Sequence, residues 1–247
     1  MIPGGEFLEP QYGQAYRELY LKHWWWRARE EALVRFLRRK LKADSNRNIL
    51  DIGCGDGLFF ERLAEFGHVE GVEPDSRLID ANGPYASRIR VAPFNKGFHS
   101  EKKYGLVVML DVLEHLEDPE GALECAYELS GSGGGLLLTV PAFQMLWTNH
   151  DVINHHRLRY RRRTLFPLLR KSGFEITESR YWFQWTVPAK LAISGIQRLW
   201  PSTPRLPEIP RAWLNRLLYR FSRIEQETLG SLHIPLGSTL MVYCARK

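Results

Sequence analysis

The stretch Ile49-Leu50-Asp51-Ile52-Gly53-Cys54-Gly55-Asp56-Gly57 joins an apolar run, an acid and three alternating glycines. A second apolar run, Ala64–Val72, closes on Gly71-Val72-Glu73-Pro74-Asp75. Glycines let backbone approach a ligand closely and tolerate positive φ. A helix starting near Leu58 would aim its amide dipoles at the same spot. An acid about 20 residues beyond the first glycine can accept from both hydroxyls of a ribose. Together these residues describe a nucleotide crevice at the carboxyl edge of a parallel sheet. The dinucleotide fingerprint, G-x-G-x-x-G, leaves room for a pyrophosphate. Here the spacing is G-x-G-x-G and Asp51 precedes it. That acid is a poor neighbour for pyrophosphate and a good one for an ammonium group.

A second group of reactive residue types lies in Asn149–Tyr160, which holds His150, Asp151, His155, His156, Arg157, Arg159 and Tyr160. Histidine suits proton removal near neutral pH, and arginine suits carboxylate or phosphate binding. A metal site built from His150, Asp151, His155 and His156 competes with that reading, or the segment is a structural network. The spacing matches no standard zinc pattern, so no metal is expected. His115, in Glu114-His115, either packs the turn it sits on or faces a substrate. The cluster Trp24-Trp25-Trp26 cannot face one core with all three rings, because consecutive helical residues point in different directions. An aromatic wall over a bound cation is one use for it, with Trp26 or Arg27 near the ligand.

The elements that must position these residues alternate. Strands are expected near Asn48–Ile52, Val69–Glu73, Arg88–Ala92, Leu106–Leu110 and Gly135–Val140, and helices near Leu58–Phe66, Ser76–Asn82 and Pro119–Ser130. That alternation means a parallel sheet covered by helices. Before it, Glu6–Lys42 reads as helical, with Ala28, Leu33, Val34, Phe36, Leu37 and Leu41 forming an apolar face. After it, a helix over Arg163–Ser172 stops at Gly173 and is followed by strands Phe174–Tyr181 and Leu240–Ala245. The glycine run Gly131–Gly135 follows a helix and precedes a strand, the wrong edge for a ligand, so it reads as a helix stop and tight turn. Residues 182–234 form an insertion with helical stretches Val187–Leu199 and Ala212–Ile224, separated by the proline-rich Trp200–Pro210. Its second stretch is a basic amphipathic helix. It reads as a lid packed on the domain or as a membrane-surface or lipid contact through 187–224.

The 247-residue chain can bury a large core. Its net charge of +6 concentrates in Arg157–Arg163 and the C-terminal helices, either as a solvated face or as attraction to an anionic partner. Nothing resembles an RNA-binding module, so nucleic acid ranks last among partners. The three cysteines, Cys54, Cys125 and Cys244, are isolated and read as reduced thiols; Cys54 suits the glycine turn by its small size. Met1–Pro10 lacks a basic start with an apolar run, and no apolar stretch reaches the ~18 residues of a span. A cytoplasmic protein is expected, with a membrane-peripheral position left open.

Leu50–Gly57 resembles the first motif of the class I S-adenosylmethionine-dependent methyltransferases, and Glu73 stands at that family's ribose-binding acid. Tyr104–Leu116 is similar to the fourth strand and "EH" turn of the small-molecule, ubiquinone/menaquinone-biosynthesis-like type, and Gly134–Pro141 to its fifth strand. The resemblance spans roughly Asn48–Val140 and, more weakly, Ser238–Arg246. It implies a Rossmann-like α/β fold: a seven-stranded, mostly parallel sheet with an antiparallel last strand between the fifth and sixth, and helices on both faces. To this the chain adds an N-terminal helical cap (1–46) and the insertion, the methyltransferase domain being 47–181 with 235–247.

The implied cofactor is S-adenosylmethionine, leaving as S-adenosylhomocysteine. Asp51 would orient the methionine ammonium, and Gly53, Cys54, Gly55 and Gly57 would admit the donor. Glu73, beside Pro74, would take the ribose. Leu110 and Asp111 would line the methionine side, Phe94 would lie near the adenine, and Trp26 would close the top. Many relatives keep an acid near the adenine; Ala92-Pro93-Phe94 has none. His150, His156, Tyr160 and His115 are the acceptor-side candidates. The expected reaction is in-line methyl transfer to an oxygen of a small-molecule, sugar or lipid-linked acceptor. The alternatives are a catalytically silent S-adenosylmethionine-binding regulator or scaffold and, disfavoured by the glycine spacing, an NAD-dependent oxidoreductase. The sequence leaves oligomeric state open.

Overall fold

A computed structural model describes residues 10–42, 44, 46–228 and 234–246. Seven strands form one sheet in the order β3-β2-β1-β4-β5-β7-β6: β1 (Asn48–Ile52), β2 (His68–Glu73), β3 (Ile89–Val91), β4 (Tyr104–Leu110), β5 (Ser130–Pro141), β6 (Glu175–Trp182) and β7 (Thr239–Ala245). The first five are parallel; β7 runs antiparallel to both β5 and β6. This is the expected Rossmann-like sheet with its reversed last strand.

Alternate strand residues feed two cores, as the pleat requires. Val107 and Met109 of β4 and Leu136 and Leu138 of β5 join Leu123, Ala126, Leu165 and Leu169, from α4 (Pro119–Leu129) and α6 (Arg162–Lys171). Leu106, Val108, Leu137 and Met241 face the opposite side, against Ala32, Leu33, Phe36 and Leu37 of α2 (Trp24–Lys40). Before α2 lies α1 (Pro10–Lys22), and α3 is Phe60–Leu63. Residues 1–9 of the expected cap lie outside the described residues, as do 229–233 of the insertion. No described helix is long and apolar enough to cross a membrane.

Three local expectations are corrected. The helix expected over Leu58–Phe66 is the four-residue α3 alone, because turn geometry runs from the glycines through Phe59. The glycine turn therefore acts through individual amides and not through a helix macrodipole. The helix expected over Ser76–Asn82 is one 3₁₀ turn, Ser76–Leu78. Acid side chains compete there for backbone amides: Asp75 accepts from Arg77 N, Asp56 from Asp80 N and Asp80 from Asn82 N, each at 3.0 Å. The Gly131–Gly135 run is not a free turn but the irregular start of β5, with a register shift against Tyr104 and Leu106. Gly134 is required there, since a Cβ would lie 2.8 Å from the Tyr104 carbonyl oxygen.

Candidate functional site

β1 lies between β2 and β4, where the strand order reverses, and its carboxyl end opens on the crevice such a reversal creates. The turn beyond it is left-handed at Gly53 (φ 69°), Gly55 (52°) and Gly57 (69°), a conformation that side chains disfavour. A Cβ on Gly53 would meet Val112 Cγ2 at 2.7 Å, whereas one on Gly55 would meet nothing within 4 Å. The backbone at Gly55 thus faces open space. Its amide donates to Glu73 Oε2 at 2.9 Å, and the Asp75 amide donates to Oε1 at 3.0 Å. Both carboxylate oxygens are oriented by backbone and keep further acceptor capacity.

Asp51 is only 4% exposed. Burial pushes its carboxyl up to about 7, against the lowering influence of Arg29 and with a further upward push from Glu73. Glu73 is also raised by burial, against the two amides that bind it. Asp111, at the end of β4, is itself left-handed (φ 56°). It accepts from Thr139 Oγ1 at 3.2 Å and pairs with Arg29. Arg29 is buried on α2, its guanidinium 4.8 Å from the centre of the Trp25 ring.

The N-terminal helices cover this edge with other residues than expected. A cavity of about 210 Å³ is lined by Tyr16, Arg17, Gly55, Asp56, Arg77 and Asp80, among others, and Arg17 pairs with Asp56 across it. Trp26 is buried, edge-on to His23 (5.0 Å between ring centres), Trp25 (5.2 Å) and Tyr16 (6.3 Å). Its ring contact with Tyr16 links it to the cavity lining. Arg27 points away, 4.7 Å above the Tyr219 ring. Arg29 and Tyr16 went unread because an arginine and a tyrosine on apolar helix faces look like ordinary boundary residues. The one signal available was Arg29 lying between Ala28 and Ala32 on the buried face of α2.

The remaining donor-side candidates divide. Leu110 is half-buried and Pro74 exposed at their strand ends. Cys54 packs over Gly71, where a Cβ would lie 2.4 Å from its sulfur, so its small size is what the turn uses. Phe94 is buried in the core, 5.2 Å from the Phe98 ring.

The histidine segment is stitched to the end of β5. Tyr160 N donates to Pro141 O at 2.8 Å and Phe143 N donates to Tyr160 O at 2.9 Å. A short helix, α5 (Asn149–Ile153), opens the segment and presents Asp151 inward. Asp151 is fully buried and accepts from Thr148 N (2.8 Å), Arg159 Nε and Nη2 (2.8 Å each) and, at 2.9 Å, His156 Nδ1. Burial alone would raise its pKa, but the bonds from His156 and Arg159 hold it well below the usual carboxylate range. His115 stands 4.8 Å from His156 ring to ring. Burial lowers His115 to about 3, helped by His156 and His155, and lowers His150 to about 3, helped by Lys190. Both rings are therefore neutral near pH 7.

Tyr160 is corrected as an acceptor-site residue. Its side chain is buried in the core, its hydroxyl donates to Leu113 O at 3.3 Å, and burial raises its pKa above the ordinary tyrosine range. It holds the turn after β4. That turn carries Glu114, which the motif reading passed over. Glu114 is fully buried, neither oxygen has a hydrogen-bond partner among the described residues, and burial raises it to about 8. One ligand atom each from Glu114, His115 and His156 lies within 4.8 Å of the others. An N,N,O set of this kind suits a divalent ion. It differs from the four possible ligands that residue type offered, His150, Asp151, His155 and His156, since Asp151 is already tied to Arg159.

With this geometry in place, comparison with known proteins is informative. Residues 24–179, well over half the chain, match the family described as "Methyltransferase domain". The mouse mitochondrial ubiquinone biosynthesis O-methyltransferase is 26% identical over 159 residues, covering 48% of this chain and 40% of that protein. The corresponding Coxiella burnetii protein is 27% identical over 103 residues, covering 38% and 43%. The matches thus span under half the length of these curated relatives. Among solved structures, a Thermotoga maritima protein described as an S-adenosylmethionine-dependent methyltransferase, possible histamine N-methyltransferase, aligns with TM-score 0.60 at 16% identity, covering 96% of this chain and 97% of that one. The Haemonchus contortus phosphoethanolamine N-methyltransferase 2, in complex with S-adenosyl-L-methionine, aligns at 0.62 and 14%, covering 96% and 57%. At such identities these two speak for the fold.

Proposed function

We propose that this chain, which belongs to the class I S-adenosylmethionine-dependent methyltransferases, moves a methyl group from S-adenosylmethionine to an oxygen of a small-molecule, sugar or lipid-linked acceptor. One observation carries the donor side: Glu73, oriented by the amides of Gly55 and Asp75, beside a glycine turn with open space above it. Two ribose hydroxyls can donate to the acceptor capacity that Glu73 keeps. Asp51, buried and raised to about 7, has the character of a carboxyl that lacks a cation. The ammonium of the methionine moiety would supply one and favour its ionised form.

The donor carries its own leaving group, so the protein's work is to align sulfur, methyl and acceptor and to exclude water. A base is needed only for a protonated acceptor. His156, its ring 4.8 Å from that of His115, is the group we assign to that role; Asp151 fixes His156 Nδ1 and leaves Nε2 for the acceptor. Oxygen as the methylated atom is supported by the likeness to ubiquinone biosynthesis O-methyltransferases. Titration calorimetry with S-adenosylmethionine tests the donor reading. Stoichiometric binding that weakens in both Asp51→Ala and Glu73→Ala is expected, and undiminished binding in both removes it. Tight binding without methyl transfer across phenolic, sugar and lipid acceptors would instead favour a silent regulator.

A second reading of the acceptor side rests on the orphaned Glu114 carboxyl. With His115 and His156 it would hold a divalent cation, which when bound would polarise an acceptor hydroxyl. Elemental analysis of the purified protein and of Glu114→Gln distinguishes the two. Equal metal content in both proteins removes the second reading.

A further inference from the structure

We infer that the 186–224 insertion is a membrane-interface element that docks on anionic lipid. The inference rests on how its helices α7 (Thr186–Leu199) and α8 (Ala212–Thr228) sit on the domain. α7 is amphipathic the wrong way round. The stripe that packs inward is Val187, Lys190, Ser194 and Gln197, whereas Leu191, Ile193, Ile196, Leu199 and Trp200 face solvent. Leu199 and Trp200 are 72% and 69% exposed. α8 behaves alike: Ser222 and Glu225 are buried, binding Trp185 through its indole N–H and its amide, while Trp213, Leu217, Phe221 and Ile224 are exposed. A helix adapted to water buries its apolar stripe. Among the described residues, nine of the fourteen exposed large apolar side chains fall within this insertion, which makes it a patch and not scatter.

Charge decides what covers the patch. Arg198, Arg205, Arg211, Arg216 and Arg220 are exposed, and among the described residues none of them forms an ion pair; the acids of α7, the linker and α8 are Glu208, Glu225, buried against Trp185, and Glu227, paired with Arg223 and Arg35. A second copy of this chain would bring like charge against like charge. An anionic bilayer complements the arginines and accepts the apolar side chains beneath them, the pairing that interfacial helices use. Trp200 and Trp213, at the ends of the proline-rich linker, are the side-chain type favoured at headgroup depth.

The insertion stands on the acceptor side of the molecule. Asn149 N donates to Gln197 Oε1 at 2.9 Å and Asn149 Nδ2 to Ser202 O at 2.7 Å, and Lys190 acts electrostatically on His150. Docking itself does not depend on the methyl-transfer reading. The corollary, that the acceptor comes from the lipid phase, does rest on it.

The test is vesicle flotation of the full chain. Phosphatidylcholine vesicles with about 30 mol% phosphatidylglycerol should carry the protein, and pure phosphatidylcholine should carry it roughly fivefold less for each arginine engaged. Raising salt from about 0.1 to 0.5 M should release it. Leu199→Ser/Trp200→Ser and Trp213→Ser/Leu217→Ser should each cut partitioning by about tenfold or more, with an unchanged melting temperature because the side chains are exposed. Quenching of tryptophan fluorescence by brominated lipid should fall in the same variants. No flotation on anionic vesicles at low salt overturns the inference. So does an equilibrium dimer that these substitutions dissociate. S-adenosylmethionine affinity is measured alongside and should not change, so failure here leaves the donor reading intact and failure there leaves docking intact.

Discussion

Two buried aspartates on opposite sides of the same sheet edge carry opposite electrostatic states. Asp51 is out of water with too little positive charge near it, and its pKa climbs to about 7. Asp151 is equally buried but receives five hydrogen bonds, three of them from Arg159 and His156, and titrates well below the normal range. The first has no cation hydrogen-bonded to it among the described residues. The second has its cation built in. The comparison teaches that burial by itself does not set the charge state of an acid; the saturation of its hydrogen bonds does.

The largest expected effect breaks the saturated side. Asp151→Ala leaves Arg159 buried without its partner and should cost about 3–5 kcal/mol of stability, read as a lowered urea midpoint. S-adenosylmethionine affinity in the surviving folded fraction should stay near wild type. If Asp151→Ala instead abolished donor binding in a fully stable protein, the two acids would have exchanged roles. Next is Asp51→Ala, which should weaken donor binding by ~2–4 kcal/mol in calorimetry, with little loss of fold.

Stability against pH sharpens the contrast, because the two signs are opposite. Asp51 has a folded pKa above its unfolded value, so it opposes folding increasingly as pH rises from about 4 to about 7. Asp51→Asn should therefore raise the melting temperature of the ligand-free protein at pH 8, by on the order of 1–3 kcal/mol of stability. Asp151 has a folded pKa below its unfolded value, so its contribution is present above about pH 4 and disappears as pH falls. Asp151→Asn should lower the melting temperature at pH 8. The same logic applies to binding: S-adenosylmethionine should bind more tightly as pH rises toward 7, by up to about tenfold per unit, and then level off. Calorimetry in buffers of different ionisation enthalpy should detect proton release below pH 7. A flat profile in wild type would end the proposal that Asp51 ionises on meeting the ammonium.

The smallest effect concerns the turn. Gly55→Ala introduces a Cβ that touches nothing in the structure but sits at positive φ. It should cost about 1–2 kcal/mol of stability while weakening the donor more than stability alone explains, because the added methyl occupies ligand space. Equal loss in both would mean that the space above Gly55 is unused.

Much of the donor side was legible because its information is local. Gly53, Gly55 and Glu73 belong to consecutive βα units, and a strand, a left-handed turn and a strand end recur at nearly fixed spacing wherever this crevice is built. The acceptor side resisted the same treatment. His115 and His156 were visible as residue types, yet what they do depends on Glu114 and Asp151, one orphaned and one saturated, and neither state has a signature in spacing. Tyr160 looked like chemistry because of its company and lies in the core because the chain doubles back along β5. The helix expected over Ser76–Asn82 failed for a local reason of another kind: Asp56, Asp75 and Asp80 outbid the carbonyls for backbone amides.

Alternating apolar runs and glycine punctuation were enough, by themselves, to specify a doubly covered parallel sheet and the place of its crevice. Those features follow from short-range sterics and from the two-residue period of a strand. Tertiary structure alone decided that Arg29 reaches Asp111, that Tyr16 and Arg17 close over the glycine turn, and that α7 turns its apolar face outward. Each of these depends on how elements distant in sequence dock, and on which polar groups lose water when they do. Docking and desolvation are properties of the assembled fold, not of any window of residues.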